Sequence, residues 1–260
     1  MPDGPSSDTE IPLLVERDGT VAVLTLNRPD RRNAINRAMR KAIKKELWRA
    51  DTDDDVHAVV ITGAGTSFSS GVDLPEALSG PSPRTEGPTP TQVLRAISKP
   101  VIAAVNGPCY TGGFEFATNC SFIIASEKAV FADTHAQIGL LNGWGGSAML
   151  PRTVGLAAAI QIILSGEPFD AHTALRIGLA NEVVDHERLM VRTLEIAHAI
   201  ADGHPGAVQR MLRLLKDGAG ASVTQALALE AEAAVSFRTS GNEIGARYGN
   251  QRSTAGESAR

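Results

Sequence analysis

The stretch Val101-Ile102-Ala103-Ala104-Val105-Asn106-Gly107-Pro108-Cys109-Tyr110-Thr111-Gly112-Gly113-Phe114-Glu115 is the most informative part of this chain for its fold. Its first five residues are apolar and predict a buried strand. Gly112 and Gly113 then lie at the start of a helix that we expect to run from about Gly113 to Asn119. Because glycine has no Cβ, its backbone N–H can come close to a ligand. A buried strand, a glycine loop and a helix predict an α/β fold with a site at the strand end.

A second loop of the same kind follows another apolar run. Residues 58–63 (AVVITG) predict a buried strand, and residues 67–74 (SFSSGVDL) continue from it. We expect the N–H of Ser70, beside the flexible Gly71, to be a free donor. Together with the N–H of Gly112 it would form an oxyanion hole, which stabilises negative charge on an oxygen atom during a reaction.

Composition narrows the possible functions. The 260 residues are 43% hydrophobic, 21% charged and 4% aromatic, with a formal net charge of −4. The composition is that of an ordinary globular domain, which we expect to be one catalytic unit, and its charge and low aromatic content argue against nucleic-acid binding. Cys109 and Cys120 lack a C-x-x-C spacing, so we expect reduced, packed thiols, with no disulfide and no metal site. The absence of a signal peptide or membrane-length apolar run predicts a cytoplasmic protein with no membrane partner.

The first half of the chain alternates between strands and helices. Two strands, 13–17 and 21–26, flank Asp18-Gly19, a dipeptide typical of a hairpin. Apolar residues at helical spacing predict an amphipathic helix over 33–50, with its basic residues, among them Arg40, facing solvent. Residues 75–90, rich in Pro, Ser, Gly and Thr, predict a mobile loop.

The second half is mainly helical. Short strands are expected at 122–125, near Val130 and at 183–184, and the other segments predict helices starting at Ser147 and over 157–164, 171–177, 187–201, 207–217 and 222–237. Residues 202–206 (DGHPG) contain helix-ending Gly and Pro and are the best candidate hinge. This divides the chain into residues 1–203, a catalytic core, and 204–260, a helical region.

Two ionisable residues are candidates for acid–base chemistry. Glu115 lies in the first turn of a predicted helix that is otherwise apolar, where it either complements the helix end or points into a pocket. His135 has a side chain suited to proton transfer at neutral pH, although a histidine in such a loop can also be purely structural. Asp133 would lie on the same side of an extended backbone as His135 and help to raise its pKa.

Several motifs resemble the enoyl-CoA hydratase/isomerase (crotonase) superfamily in order and spacing, over about residues 12–215. The motifs lie at residues 21–29 (VAVLTLNRP), 33–36 (NAIN), 61–65 (ITGAG), 68–74 (FSSGVDL) and 99–107 (KPVIAAVNG). The resemblance implies a spiral of repeated ββα units with a C-terminal helical oligomerisation region, which builds homotrimers or hexamers. It also implies an acyl-CoA thioester as substrate, with coenzyme A as part of that substrate and no separate cofactor.

The resemblance assigns catalytic roles by position. The N–H groups of Ser70 and Gly112 would hold the thioester oxygen, and Glu115 matches the first catalytic glutamate of the hydratases. His135 stands where those enzymes have a second glutamate. The first hypothesis is therefore a hydratase-like lyase with Glu115 and His135 as its acid–base pair. The alternatives are a non-catalytic acyl-CoA binding protein and a hydrolase that uses His135 as its base.

Binding residues follow from the same resemblance. The coenzyme A portion is expected between residues 27–36 and 70–74. Two basic positions of the family are replaced here, by Asp30 and by Pro75-Glu76, so phosphate contacts would shift to arginines. Trp144 either walls the acyl pocket or packs in the core. The predicted binding residues are Arg28, Arg31, Arg32, Ala34, Ser70, Gly71, Val72, Asp73, Leu74, Gly112 and Trp144.

Overall fold

The computed structural model describes residues 11–79, 87–239, 241 and 243–247. Its larger sheet has six strands in the order β1-β2-β3-β4-β6-β9. β1 and β2 are antiparallel, as the predicted hairpin requires, and each later neighbour is parallel. The strands of this sheet are β1 (Leu13–Asp18), β2 (Val21–Leu26), β3 (Ala58–Gly63), β4 (Val101–Val105), β6 (Phe122–Ser126) and β9 (Glu182–Val184).

A smaller sheet of three strands lies in the order β5-β7-β8, with β5 (Cys109–Tyr110), β7 (Val130–Ala132) and β8 (Phe169–Asp170). β4 and β6 belong to the larger sheet, and the strand that follows each of them belongs to the smaller one. The pair β4 and β5 and the pair β6 and β7 are therefore two copies of one unit, and a helix, Gly112–Thr118, follows the first pair. The predicted α/β spiral of ββα units is therefore confirmed.

Besides short 3-10 helices, the described residues form ten α-helices. Most lie within two residues of their predicted bounds. They are α1 (Arg37–Thr52), α2 (Leu74–Ser79), α3 (Pro90–Ala96), α4 (Gly112–Thr118), α5 (Gly146–Val154), α6 (Leu156–Ser165), α7 (Ala171–Arg176), α8 (Leu189–Ala201), α9 (Pro205–Gly218) and α10 (Val223–Ser236).

The larger sheet is buried on both faces, which explains why β3 and β4 are continuous apolar runs. On one face Val60 and Ile102 pack in a cluster with Ala197 of α8. On the other face Ile61 lies in a larger cluster with Leu47 of α1. Because β3 and β4 are fixed on both sides, the loops at their carboxyl ends rest on a rigid base.

Two expectations about the first half were wrong. The predicted loop at 75–90 contains most of α2 and the start of α3, while residues 80–86 lie outside the described residues. Arg40 does not face solvent: it is 5% exposed, donates to the Ile35 carbonyl at 3.3 Å and lies 3.6 Å from Glu76. The helical turn at Leu74–Ser79 places that carboxylate beside α1.

Contacts divide the chain into two compact units, Met1–Pro205 and Gly206–Arg260. In the second unit Ser222 caps α10 by accepting a hydrogen bond from Gln225 N. Arg210 of α9 donates to Ser236 Oγ at 3.3 Å. Within the described part of the chain, no helix is long and apolar enough to cross a membrane.

Candidate active site

The loop between β5 and α4 brings the first site residues together. Thr111 adopts φ +54°, a conformation that a β-branched residue rarely takes. Its N–H donates to the Ala132 carbonyl at 2.9 Å, which fixes the turn against β7. In the described residues the N–H of Gly112, the first residue of α4, has no hydrogen-bond acceptor. Glu115 follows three residues later and is 1% exposed.

The second free donor is the N–H of Val72. Ile35 pairs with this segment by donating to Gly71 O at 2.7 Å and accepting from Asp73 N at 3.3 Å. This pairing uses the neighbours of Val72 and leaves its own N–H directed away, without an acceptor among the described residues. A Cβ built on Gly112 would lie 3.2 Å from Val72 N. The two free N–H groups therefore border one small space.

The expectation that Ser70 supplies the second donor was wrong. Its N–H donates to the Arg32 carbonyl at 2.9 Å, so it is not available to a ligand. Ser70 still lines the site cavity, and its hydroxyl donates to Arg31 O at 3.3 Å. Gly71 has φ +101°, which only glycine adopts easily, and this turn carries the chain from Ser70 to Val72.

Glu115 is held through one of its two oxygens. Oε1 accepts from Trp144 N at 2.9 Å and from Gly146 N at 2.8 Å, while Oε2 lies 3.5 Å from His135 Nε2. Burial raises the pKa of Glu115, and the two backbone N–H groups offset part of that rise. Of the two readings of Glu115, the pocket-facing one is the one seen here. A buried carboxyl of this kind is suited to exchange a proton.

His135 is held from its other side by a buried carboxylate. Its Nδ1 lies 2.6 Å from Asp133 Oδ1, and Asp133 is fully buried. Asn142 donates to Asp133 Oδ2 at 2.6 Å. Burial raises the pKa of Asp133, but hydrogen bonds from His135 and Asn142 outweigh this and lower it, so the carboxylate stays charged. With its Nδ1–H on Asp133, His135 presents Nε2 to Glu115.

The contact with Asp133 was expected, but its backbone basis differs from the prediction. His135 is not extended: it has φ −58° and ψ −50° and begins a short turn over Ala136–Ile138. The roles of Trp144, Gly146 and Asn142 around the two carboxylates had no signal in the sequence beyond the glycines at 143–146. Trp144 itself is 6% exposed and also lines the cavity, so it packs in the core and borders the site at once, while its contact with an acyl group stays a prediction.

A cavity of about 590 Å³ opens at Glu115 and His135. Ser70, Val72 and Leu74 line one part of it, and Thr111 and Thr134 line another. This volume is typical of a small-molecule site. In the described part of the chain, no group of three or more His, Cys, Asp or Glu side chains is arranged to hold a metal ion, and Cys109 and Cys120 are free thiols.

Of the residues predicted to bind coenzyme A, Arg28 and Ala34 are hydrogen-bonded within the protein, whereas Arg31 and Arg32 are exposed. Arg28 is partly buried, and its Nη1 donates to Asp73 Oδ2 at 2.8 Å and to Ala34 O at 2.6 Å. Ala34 N donates to Arg31 O, so both polar backbone groups of Ala34 are used within the protein. The prediction that the backbone of Ala34 binds the ligand is therefore wrong. Arg28 stabilises the protein by linking Ala34 to Asp73. Arg31 and Arg32 are exposed.

Comparisons with known proteins agree with this geometry. The spiral fold, the buried Glu115 and the free N–H groups at Val72 and Gly112 define a protein of the crotonase class. A sequence model described as enoyl-CoA hydratase/isomerase matches residues 16–248. The chain belongs to this family.

Individual relatives cover most of the chain. It is 37% identical over 224 residues to a probable peroxisomal enoyl-CoA hydratase 1 of Arabidopsis thaliana, covering 85% of this chain and 84% of that protein. It is 37% identical over 227 residues to a short-chain-enoyl-CoA hydratase of Clostridium acetobutylicum, covering 85% and 87%. A crystal structure of an enoyl-CoA hydratase from Mycobacterium avium has a TM-score of 0.72 and 42% identity, covering 86% and 95%.

Proposed function

We propose that this protein adds water to the double bond of a trans-2-enoyl-CoA thioester and catalyses the reverse dehydration. The observation that carries the proposal is the 3.5 Å approach of Glu115 Oε2 to His135 Nε2 in the cavity bordered by the free N–H of Val72. Hydration needs one group to take a proton from water and another to deliver a proton to carbon. Glu115 and His135 supply these two groups.

The reaction balances as follows. The Glu115 carboxylate takes a proton from water while the water oxygen bonds to Cβ. The electron pair of the double bond moves towards the thioester oxygen, where the N–H groups of Val72 and Gly112 stabilise the negative charge. Protonated His135 gives a proton to Cα. The proton on Glu115 then passes to His135, which restores the starting state without a redox cofactor.

Asp133 supports the role of His135. An adjacent carboxylate stabilises the imidazolium and fixes which ring nitrogen faces the reaction. The contact of 2.6 Å to a fully buried Asp133 supports this arrangement. His135, which stands where the hydratases have a second glutamate, is therefore paired with a carboxylate of its own, that of Asp133.

The same pair favours one second candidate. A histidine held by a buried aspartate can direct water at a thioester carbon, which would release free coenzyme A thiol. Hydration keeps the thioester intact, whereas hydrolysis breaks it. Incubation with an enoyl-CoA, followed by separate assays for the 3-hydroxyacyl product and for free thiol, distinguishes the two. We expect the 3-hydroxyacyl product to form and the thioester to stay intact. Release of free thiol as fast as the enoyl-CoA is consumed would contradict hydration.

For the coenzyme A portion, we propose phosphate contacts from Arg31 and Arg32. Both are exposed, and the carbonyl of Arg32 accepts from Ser70 N at the edge of the cavity, whereas Arg28 is paired with Asp73. Guanidinium groups are effective phosphate ligands. Gly71, Asp73 and Leu74 would flank the pantetheine arm without supplying catalytic groups.

We also propose a homotrimer or a hexamer built from such trimers. Met211 and Leu215 of α9 and Leu227 of α10 are 59–72% exposed in the isolated chain. Exposed apolar side chains of this size are typical of subunit interfaces. Light scattering after size exclusion should give three or six times the 27.3 kDa chain mass. The cytoplasmic location stays a prediction.

A further inference from the structure

The cavity at Glu115 and His135 has a distinctly apolar wall. Two segments form most of it: helix α2 and residues 138–144. Apart from Leu74, which we place beside the pantetheine arm, the large apolar side chains in this wall are Leu78, Ile138, Leu140, Leu141 and Trp144.

Several of these side chains are unusually exposed for their type. Leu78 is 82% exposed, Leu141 is 81% exposed and Ile138 is 50% exposed. Large apolar side chains gathered around one opening indicate a surface that a ligand covers. Because the same cavity contains Glu115, the part of a thioester that would reach this wall is the acyl chain beyond the reacting carbons.

The charges in the cavity restrict what the acyl chain can carry. Among the described residues that line it, Glu115 and His135 are the ionisable ones, and both belong to the reacting centre. None of those lining residues is a lysine or arginine. Thr111 and Thr134 contact each other, with their hydroxyl oxygens 2.7 Å apart. Among the described lining residues, a carboxylate at the far end of the acyl chain would lose water without gaining a cationic partner.

The size of the cavity restricts the chain length. Its volume of about 590 Å³ equals that of about 20 water molecules in the liquid. A four-carbon enoyl group would occupy the reacting centre and leave Leu78 and Leu141 in water. A longer chain continues along both segments of the wall and removes their apolar surface from solvent.

We propose that the preferred acyl group is uncharged, apolar and longer than four carbons, and that Leu78 and Leu141 are specificity-determining residues for it. This inference rests on the proposed function, because it assigns the substrate class of the same site. Each added methylene that is buried on binding favours the complex by about fourfold. This gain appears in kcat/KM and not in kcat, since it is equal in the ground state and the transition state.

The first test compares hydration of trans-2-enoyl-CoA thioesters with 4, 6 and 10 carbons and of a six-carbon enoyl-CoA with a terminal carboxylate. We expect kcat/KM to be at least about tenfold higher for the ten-carbon than for the four-carbon substrate. The carboxylated substrate should be at least about 100-fold poorer than the uncharged six-carbon one. Equal values along the uncharged series, or efficient use of the carboxylated substrate, would overturn the proposal.

The second test uses Leu78→Ser and Leu141→Ser, with Leu156→Ser as the matched control. Leu156 is 65% exposed and does not line the cavity. We expect each cavity variant to lower kcat/KM for the ten-carbon substrate by about fivefold or more and to leave the four-carbon value within about twofold. An equal loss for both substrates, or the same loss in Leu156→Ser, would contradict a role in chain selection.

Binding separates a failure of this inference from a failure of the proposed function. Calorimetry with saturated butyryl-CoA and decanoyl-CoA needs no turnover. Tighter binding of decanoyl-CoA that weakens in Leu78→Ser supports the apolar wall even if no enoyl-CoA is hydrated. Equal affinity for the two thioesters overturns the inference even if hydration is fast.

Discussion

Glu115 Oε2 and His135 Nε2 lie 3.5 Å apart, and each side chain is anchored through its other polar atom. Two backbone N–H groups hold Glu115 Oε1, and Asp133 holds His135 Nδ1. Because the anchored atoms are engaged, the facing atoms are the ones available to exchange a proton with a substrate in the mechanism that we propose. In that mechanism the two residues act as one acid–base unit.

Glu115→Gln should remove catalysis while preserving the fold. The amide oxygen can still accept from Trp144 N and Gly146 N, but the group cannot exchange a proton at neutral pH. We expect kcat to fall by about 100-fold or more. Circular dichroism should show unchanged secondary structure, and a variant with more than a tenth of wild-type kcat would contradict the role of Glu115.

The stability of Glu115→Gln should depend on pH in a defined direction. Since burial raises the pKa of Glu115, the folded protein binds this proton more tightly than the unfolded chain. The contribution of Glu115 to wild-type stability therefore falls as pH rises from about 4.3, the unfolded value, through the raised folded value. Denaturant unfolding should show Glu115→Gln gaining relative to wild type between pH 4 and pH 7. A gain that shrinks as pH rises over this range would contradict a raised pKa of Glu115.

Asp133→Asn should show the opposite dependence. The lowered pKa of Asp133 means that its charge stabilises the folded state at neutral pH, and this contribution is lost as pH falls below about 3.9 through the lower folded value. We expect a loss of about 2 kcal/mol at pH 7. The deficit should narrow in acid.

The same variant tests the positioning of His135. Loss of the negative charge of Asp133 should lower kcat by about tenfold or more with little change in KM, because Asp133 is fully buried and does not line the cavity. It should also move the pH–rate profile. A fall in kcat without any change in that profile would assign Asp133 a packing role only.

Gly112→Ala should close the space between the two free N–H groups. The added methyl would lie 3.0 Å from Val72 Cγ2 and 3.2 Å from Val72 N. We expect kcat to fall by about 100-fold or more, the effect of losing an oxyanion donor. Gly220→Ala is the control, since a Cβ there meets nothing within 4 Å. Comparable kinetics in both variants would exclude this oxyanion hole.

Arg28→Ala and Arg31→Ala should distinguish a structural role of Arg28 from a ligand-binding role of Arg31. Arg28 pairs with Asp73 in a partly buried position, so its loss should lower the melting temperature by several degrees. Arg31 is exposed, and its loss should raise KM for an acyl-CoA about threefold or more at an unchanged melting temperature. The reverse pattern would restore Arg28 as a phosphate ligand.

Strong local signals made much of this structure predictable. Apolar runs located β3 and β4, and the glycines after β4 located the turn into α4. In contrast, the choice between Ser70 and Val72 as the free donor depends on which residue Arg32 and Ile35 pair with. Backbone pairing between distant segments leaves no local pattern in the sequence. Helix α2 was missed although its start carries local signals: Asp73 Oδ1 accepts from Glu76 N at 3.3 Å, as in an N-cap, and Glu76 lies in the first turn. The Pro, Ser, Gly and Thr content of residues 75–90 indicated a loop instead.

The most direct test of the account measures hydration of a trans-2-enoyl-CoA, followed by loss of the enoyl absorbance, in wild type, Glu115→Gln, His135→Gln and the double variant. If the facing pair acts as one unit, each single variant loses about 100-fold or more in kcat and the double variant loses little further. Full activity in His135→Gln would contradict this account, because Glu115 alone would then perform both proton transfers.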